Sequence, residues 1–194
     1  MSRPRIAVII GSTRKARFAD KPAAWLMEKV ANHPELDFEL VDLRDYDLPL
    51  FDEATSNLWA PSQDERARRW QEKVAGFDGY LFVVAEYNHS ITAALKNAFD
   101  QDYTGWNRKP GGALAYGSMG GVRALEHLRN IMVEVQMVPL RNAVHIGGSD
   151  FFKVWSGGQN APIAEIEPVL QPSLDAMLDE LAWWTRATKA AREG

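Results

Sequence analysis

Uninterrupted apolar runs alternate with segments of helical periodicity along this chain. Residues 6–10 carry no polar side chain and end at Gly11, which is typical of a strand buried on both faces of a parallel sheet. Between 23 and 30 the apolar positions recur at the spacing of one helix face, and this helix is expected to stop before Pro34. The same reasoning predicts strands over 6–10, 38–43, 80–85, 112–116 and 140–146, and helices over 23–30, 62–75, 90–100, 121–137 and 166–189.

Two long connections separate these elements. Residues 45–61 contain two prolines and are predicted to be irregular, and residues 147–162 are predicted to form a loop. Ser62 is the expected N-cap of the helix after the first connection, because Glu65 stands three residues later in a capping-box pattern.

The alternation of strand and helix predicts an α/β protein, in which a parallel sheet carries helices on both faces and the crossovers are right-handed. No repeat or linker divides the chain, so we expect one domain over residues 1–194. Ligands of open parallel sheets bind beyond the carboxyl ends of the strands, where the strand order switches. The loops after the first, third and fourth strands are therefore the candidate ligand-binding loops.

Composition and charge limit the kinds of partner and the kinds of chemistry that this chain can have. The chain has 194 residues, a net charge of −4 and a pI near 5.6, so it lacks the basic excess that nucleic-acid binding requires. It has no cysteine, which excludes disulfides, thiolate metal sites and a cysteine nucleophile. The four histidines lack metal-binding spacing, so no metal is expected. No apolar segment approaches the ~20 residues of a membrane helix, and too few residues precede the first strand for a signal peptide, so we expect a soluble, cytoplasmic protein.

The loop over residues 11–17 combines a glycine, two hydroxyls and three cations at the start of a helix. Free backbone N–H groups and the helix dipole favour an anion there, and arginine can hold a phosphate through two hydrogen bonds. The spacing fits neither a P-loop nor the usual dinucleotide fingerprint, so the single phosphate of FMN is a better match than a pyrophosphate. The alternative is a solvated, N-capped helix start.

The other two loops suit a flat ligand. Residues 85–90 are polar and aromatic, although Asn88 or Ser90 would also serve simply as a helix cap. Residues 116–121 contain three glycines, which allow the backbone to approach a ligand closely. A tight turn that needs glycine for steric reasons is the alternative.

In this order, the three loops resemble those of the NADPH-dependent FMN reductase family, flavodoxin-like flavoproteins that include bacterial quinone, chromate and azo-dye reductases. The resemblance covers the region from the first strand to the fourth helix. One departure is Ala85, where the family usually has a proline that stiffens the loop. The segments that carry the resemblance are GSTRxxR at 11–17, DL at 42–43, LPLFDE at 48–53, EYNHS at 86–90, LKNAFD at 95–100 and YGSMGG at 116–121.

The resemblance implies a three-layer sandwich with five parallel strands in the order 2-1-3-4-5, and FMN as the cofactor. Hydride would pass from NADPH or NADH to flavin N5, and a quinone, azo dye, metal oxyanion or free flavin would then be reduced in a ping-pong cycle. No side chain is expected to act as nucleophile or base. Relatives form dimers and tetramers, so a homodimer or homotetramer is expected. The resemblance assigns the phosphate to Ser12, Arg14 and Arg17, the flavin ring to Glu86, Tyr87, Asn88 and Ser90, and the pyrimidine side or rim to Ser118, Gly120 and Gly121.

Two other functions fit parts of the pattern. A flavodoxin-type electron carrier would have no turnover of its own, but such carriers are usually strongly acidic and a charge of −4 is mild. A flavin-free module is opposed by the cations and hydroxyls of residues 11–17. The arginines favour NADPH over NADH, and the acceptor is left open. Trp59, Trp106 and Trp155 fall in predicted loops and are interpreted as marking an interface or a pocket wall.

Overall fold

The computed structural model describes residues 3–194. One parallel sheet runs in the order β2-β1-β3-β4-β5, and β6 also pairs with β4, so the predicted α/β class and the order 2-1-3-4-5 are confirmed. No helix within the described part of the chain combines the length and the apolar character needed to cross a membrane. The strands are β1 (Arg5–Ile10), β2 (Asp37–Asp42), β3 (Gly79–Ala85), β4 (Pro110–Tyr116), β5 (Val138–Pro139) and β6 (Val144–Ile146). The helices are α1 (Asp20–Val30), α2 (Glu65–Ala75), α3 (Ala93–Asp100), α4 (Val122–Glu134), α5 (Gly148–Val154) and α6 (Glu167–Glu193).

The apolar side chains of the central strands pack into two separate cores, one on each face of the sheet. Ile6 and Val8 of β1 pack in the core that α1 and α6 cover, whereas Ala7 and Ile9 pack in the core on the opposite face, with α2, α3 and α4. Successive side chains of a strand point to opposite faces, so a strand buried on both sides needs an unbroken apolar run. The runs in β1 and β3 place these strands centrally for this reason.

Trp106 lies in the second of these cores, which corrects the interpretation that it marks a ligand-binding edge. Its side chain is fully buried in a short 3-10 turn, with its ring centroid 4.7 Å from Phe99 and 4.8 Å from Tyr80. A large indole removes much apolar surface from water when it fills a core in this way. Trp59, by contrast, is 79% exposed.

The predicted fifth strand is interrupted. Residues 138–139 and 144–146 pair separately with the two ends of β4. Leu140 still donates its N–H to the carbonyl of Gly111 at 2.9 Å, and residues 141–143 leave the ladder. The N–H groups of Val138 and Leu140 both donate to β4, so Pro139 between them removes an N–H from the outer, unpaired side of the strand. The carboxylate of Glu180 in α6 accepts hydrogen bonds from the backbone N–H groups of Arg141 and Asn142, at 3.0 and 2.9 Å, so the departing segment is satisfied by a side chain.

Two helix starts also differ from the prediction. α2 begins after Asp64, whose carboxylate accepts from the N–H of Arg66, while the predicted cap Ser62 is buried and its hydroxyl accepts from Gln71. α3 begins after Thr92, whose hydroxyl accepts from Leu95 at 3.1 Å, rather than near residue 90. In both cases several residues can cap a helix, and the tertiary contacts decide which one does.

The predicted loop over 147–162 contains the seven-residue helix α5. A helix this short gives little periodicity, and its N-cap and first residue, Gly147 and Gly148, are both glycine, which is a poor helix former. This missed element bears directly on the site.

Candidate functional site

A cavity of about 520 Å³ opens at the carboxyl edge of the sheet, where the loops after β1, β3 and β4 meet α5. Of the predicted contacts, Ser12, Ser90, Gly120 and Gly121 belong to the same loops but are not among the residues that line the cavity. No group of three or more His, Asp or Glu side chains within residues 3–194 is arranged to hold a metal. The lining residues are Arg14, Ala16, Arg17, Phe18, Ala85, Glu86, Tyr87, Asn88, Tyr116, Gly117, Ser118, Phe151, Phe152 and Trp155.

The loop after β1 presents unused donors at the mouth of this cavity. None of the backbone N–H groups of residues 12–16 donates a hydrogen bond to another described residue. Arg14 is exposed, with its Nη1 3.4 Å from the hydroxyl of Tyr87 and its guanidinium 5.8 Å from the centroid of the same ring. The Ser12 hydroxyl lies 3.3 Å from the same tyrosine oxygen. Such a cluster of N–H groups beside a cation is suited to binding an anion.

Arg17, in the same loop, is held in a different way. Its side chain is only 3% exposed, and it donates to Asp20, to Asp42 and to the carbonyl oxygen of Ser12 over 2.5–2.8 Å. These contacts engage Nε once and each terminal nitrogen twice, which uses all five N–H groups of a guanidinium. Direct phosphate binding by Arg17 stays a prediction, and it would require at least one of these bonds to be exchanged.

The carboxylate of Asp42 and the guanidinium of Arg17 stabilise each other's charged forms. Burial alone would raise the pKa of Asp42, but the hydrogen bonds from Arg17 and from the N–H of Arg44 lower it overall. Burial likewise opposes the charge on Arg17, and its two carboxylate partners raise its pKa. The end of β2 and the start of α1 are thereby joined by a charged pair that remains ionised at neutral pH.

The loop after β3 closes into a two-residue turn. Tyr87 and Ser90 exchange backbone hydrogen bonds of 2.9 and 3.0 Å, and the two residues between them, Asn88 and His89, have φ of 50° and 68°. Positive φ at both central residues defines the tight hairpin turn of type I′. The turn makes the loop compact although Ala85 replaces the stiffening proline, and the N–H groups of Asn88 and His89 donate to no described residue.

Glu86 connects this turn to α4. Its side chain is 7% exposed and forms an ion pair with Arg123, whose backbone N–H also donates to the carboxylate at 3.2 Å. Arg123 in turn contacts His89 at 2.9 Å. The carboxylate is therefore committed to holding the turn against the helix, and its predicted contact with the flavin ring stays a prediction. Arg123 was missed because 37 residues separate it from Glu86.

The glycine-rich loop after β4 requires glycine at its last position. Gly121 has φ of 67°, and a β-carbon there would lie 2.7 Å from the backbone nitrogen of Tyr116. The loop is tied to its neighbours by Gly148, which donates to the carbonyl of Ser118 at 2.9 Å, and by His145, whose Nδ1 lies 2.7 Å from the carbonyl of Gly120. The loop and the start of α5 thus form one connected surface.

Five aromatic side chains, Phe18, Tyr116, Phe151, Phe152 and Trp155, form what we call the aromatic wall of the cavity. The ring of Phe151 is 5.5 Å from Trp155 and within 14° of parallel to it, and 6.5 Å from Tyr116 and within 17°. Phe18 meets both Tyr116 and Phe151 edge-on. The interpretation of Trp155 as a pocket wall is confirmed, while Phe151 and Phe152 were missed because α5 itself was missed.

Comparison with known proteins gives a consistent result. Residues 4–150 match the sequence profile of the family described as NADPH-dependent FMN reductase. An NAD(P)H-dependent FMN reductase of a Nectria species is 30% identical over 164 residues, which cover 79% of this chain and 82% of that protein. A quinone reductase of Pseudomonas putida is 28% identical, with 95% and 96% covered. The solved structure of a flavoenzyme NAD(P)H:(acceptor) oxidoreductase from Paracoccus denitrificans superposes with a TM-score of 0.67 and 25% identity, covering 92% of this chain and 97% of that one.

Proposed function

Since this chain belongs to the NADPH-dependent FMN reductase family, we propose that it binds FMN between its three loops, oxidises NAD(P)H and reduces a small acceptor. The observation that carries this proposal is the composition of one cavity. Unused backbone N–H groups and Arg14 lie at its mouth, and the tight turn after β3 faces the glycine-rich loop after β4 within it. A ligand with an anionic end and a flat polar end fits this arrangement.

The residues present fit FMN. The N–H groups of residues 12–16, with Arg14 and the Ser12 hydroxyl, would hold the phosphate, and Arg17 would fix the shape of that loop. The N–H groups of Asn88 and His89 would meet the polar edge of the ring, and Ser118 would line its other flank. FMN, when bound, supplies the redox chemistry by taking a hydride from the nicotinamide and passing electrons to the acceptor.

The side chains of the site would orient ligands rather than transfer protons. The carboxylate of Glu86 is engaged by Arg123, and burial raises the pKa of the Tyr116 phenol, which therefore keeps its proton near neutral pH. The aromatic wall would exclude water from the ring. This agrees with an enzyme in which the cofactor carries the reaction and no catalytic side chain is needed.

The finer assignments also belong to this proposal. Lys15, exposed next to Arg14 in the loop after β1, leaves a second cation for another phosphate, which favours NADPH over NADH. We propose an acceptor of the quinone type, as the name of the Pseudomonas putida relative suggests. Leu50 and Trp59, 80% and 79% exposed on the connection before α2, support a homodimer or homotetramer, because large exposed apolar side chains favour association. We place the assembly in the cytoplasm.

The test is an absorption spectrum of the purified protein with FMN under anaerobic conditions, followed by NADPH. We expect bound-flavin bands that bleach rapidly on addition of the nicotinamide. Bound flavin that is not reduced would support an electron carrier instead. A protein that does not retain flavin would contradict the proposed site itself.

A further inference from the structure

We propose that Lys21 is a positioning residue that holds residues 149–161 closed against the cavity and thereby slows the release of FMN. Lys21 lies in the first turn of α1 and is not among the residues that line the cavity. Residues 149–161, which we call the α5 segment, carry Phe151, Phe152 and Trp155 of the aromatic wall. This inference rests on the proposed function and adds to it a residue that acts on the bound cofactor from a distance.

The ammonium group of Lys21 contacts three oxygen atoms of the α5 segment. It donates to the carbonyl of Val154 at 2.7 Å, to the side-chain oxygen of Asn160 at 3.0 Å and to the carbonyl of Ala161 at 3.0 Å. An ammonium group has three N–H donors, so all of them are used within this one segment. A single side chain of α1 therefore joins the end of α5 to the end of the loop that follows it.

The α5 segment has little other polar attachment. In the part of the chain that the structure describes, its other polar contact with a different element is the ion pair of Lys153 with Glu165, at 3.0 Å. The two side chains of that pair are 36% and 48% exposed, and exposed ion pairs contribute little to stability. The loop after α5 otherwise bonds back to its own helix, as when Gln159 donates to the carbonyl of Phe152 at 3.0 Å.

The segment depends on its attachments to stay ordered, because a helix of seven residues is not stable in isolation. Val154 is fully buried and Phe151 packs against the same core, which fixes one side of the helix. At the start of α5, Gly148 has φ of 53° and open space around its β-position, so the chain can pivot there. Removing the ammonium of Lys21 would take the donor from three oxygen atoms at the far end of the segment.

Lys21 shares the first turn of α1 with the groups that shape the phosphate loop. Asp20 accepts hydrogen bonds of 2.8 and 2.5 Å from Arg17, and the backbone N–H of Lys21 donates to the carbonyl of Phe18 at 3.0 Å. The ring of Phe18 meets Phe151 edge-on at 5.5 Å. A ligand that orders the loop after β1 therefore also steadies Lys21 and the α5 segment. Such coupling is reciprocal, so the closed segment should retain the ligand by the same factor.

Hydrogen exchange of the full chain, followed by mass spectrometry, tests this with Lys21→Met, first without flavin and then with FMN. Methionine keeps most of the side-chain length and has no N–H to donate. Without flavin, peptides from residues 149–161 should exchange about 10-fold faster than in the parent, because the segment opens more often. FMN should slow their exchange in the parent, and Lys21→Met should lose most of that slowing. Peptides from β3 should exchange as in the parent, which shows that the rest of the fold is intact.

The rate of FMN dissociation, followed by the fluorescence of released flavin, should rise by about 3- to 10-fold in Lys21→Met. Lys21→Arg keeps a cation with N–H donors and should restore part of both effects. The matched control is Lys153→Met, which breaks the exposed ion pair of the same segment and should behave like the parent in both measurements.

Three outcomes would overturn the inference. Unchanged exchange in Lys21→Met would mean that apolar packing alone holds the segment. Faster exchange with an unchanged FMN dissociation rate would mean that the segment does not close the cofactor site. Equal effects in Lys153→Met would mean that the contacts of Lys21 are not special. A parent protein that retains no flavin would instead contradict the proposed function, and the flavin-free exchange rates would still decide whether Lys21 holds the segment.

Discussion

Replacing Asp42 with asparagine should lower the free energy of unfolding by about 2–3 kcal/mol, because the buried guanidinium of Arg17 would lose its charged partner. Asp42 accepts two of the five hydrogen bonds of Arg17, at 2.7 and 2.5 Å. A hydrogen bond to a charged group contributes roughly 1.5–3 kcal/mol, and asparagine keeps one acceptor oxygen while Asp20 keeps its charge. Because one charged hydrogen bond is lost and the other is kept in weaker form, the expected loss is about 2–3 kcal/mol.

The measurement is urea unfolding followed by tryptophan fluorescence. With a slope of about 2–3 kcal/mol per molar urea, the midpoint should fall by about 1 M. The matched control is Asp100→Asn, which breaks a solvent-exposed pair with Lys96 on α3 and should cost less than about 0.5 kcal/mol. A loss in Asp42→Asn no larger than in this control would refute the reasoning.

The effect should also depend on pH in a defined direction. The folded-state pKa of Asp42 lies below its ordinary value, so the stabilisation is fully present above the unfolded pKa of about 3.9 and is lost as the pH falls through the folded value. The difference between the parent and Asp42→Asn should be constant from pH 7 to pH 5 and should shrink below pH 4. A difference that stays constant in acid would contradict the ion-pair explanation.

The same variant separates two roles for Arg17. If Arg17 shapes the phosphate loop by holding the carbonyl of Ser12, loosening it in Asp42→Asn should weaken FMN binding. If Arg17 binds phosphate directly, freeing it from Asp42 should tighten FMN binding. Riboflavin lacks the phosphate, so the change in its affinity measures any effect of the variant on the rest of the site and serves as the reference for FMN. We expect the weaker binding, measured by flavin fluorescence titration.

Three further predictions concern other residues. Arg14→Ala should weaken FMN binding by about 10- to 100-fold, the size of a lost charge-assisted hydrogen bond, and should change riboflavin binding far less; equal losses for both ligands would count against a phosphate contact. Gly121→Ala should lower the free energy of unfolding by about 1–3 kcal/mol or more in urea titrations, because the alanine would need a left-handed φ and its β-carbon would clash with backbone. An unchanged urea midpoint would contradict this. Burial lowers the pKa of Lys109 to about 8, so the parent protein should gain up to about 3 kcal/mol of stability between pH 8 and 10.5, where the unfolded lysine still binds its proton. Lys109→Met should lose that gain, and an identical pH profile for the two proteins would exclude the effect.

The central strands of this fold and the loops that follow them were predictable because they depend on residues close together in the sequence. An apolar run such as 80–85 is typical of a strand buried on both faces. The loops that follow such strands lie together at one edge of a parallel sheet. The positions of residues 14, 86–88 and 118 around the cavity follow from this. Their individual contacts do not, because they depend on partners distant in the chain.

Arg17 shows why. Its residue type and position indicated phosphate, but its donors are taken by Asp42, 25 residues away, which the sequence pattern could not reveal. α5 shows a second limit, since a seven-residue helix opening on glycine has neither the length nor the propensity to give a periodic signal. Without α5 the aromatic wall could not be assembled from the sequence.

The interrupted edge of the sheet has a consequence for the protein in concentrated solution. Strand edges with unpaired backbone groups can recruit strands from other chains, and the apolar runs of this protein would be prone to such pairing. At one edge, β5 and β6 have only two and three residues, and Glu180 occupies the N–H groups of the segment between them. At the other edge, β2 carries carboxylates at Asp37, Glu39 and Asp42. The most aggregation-prone strands are thus enclosed between two borders that resist further strand addition.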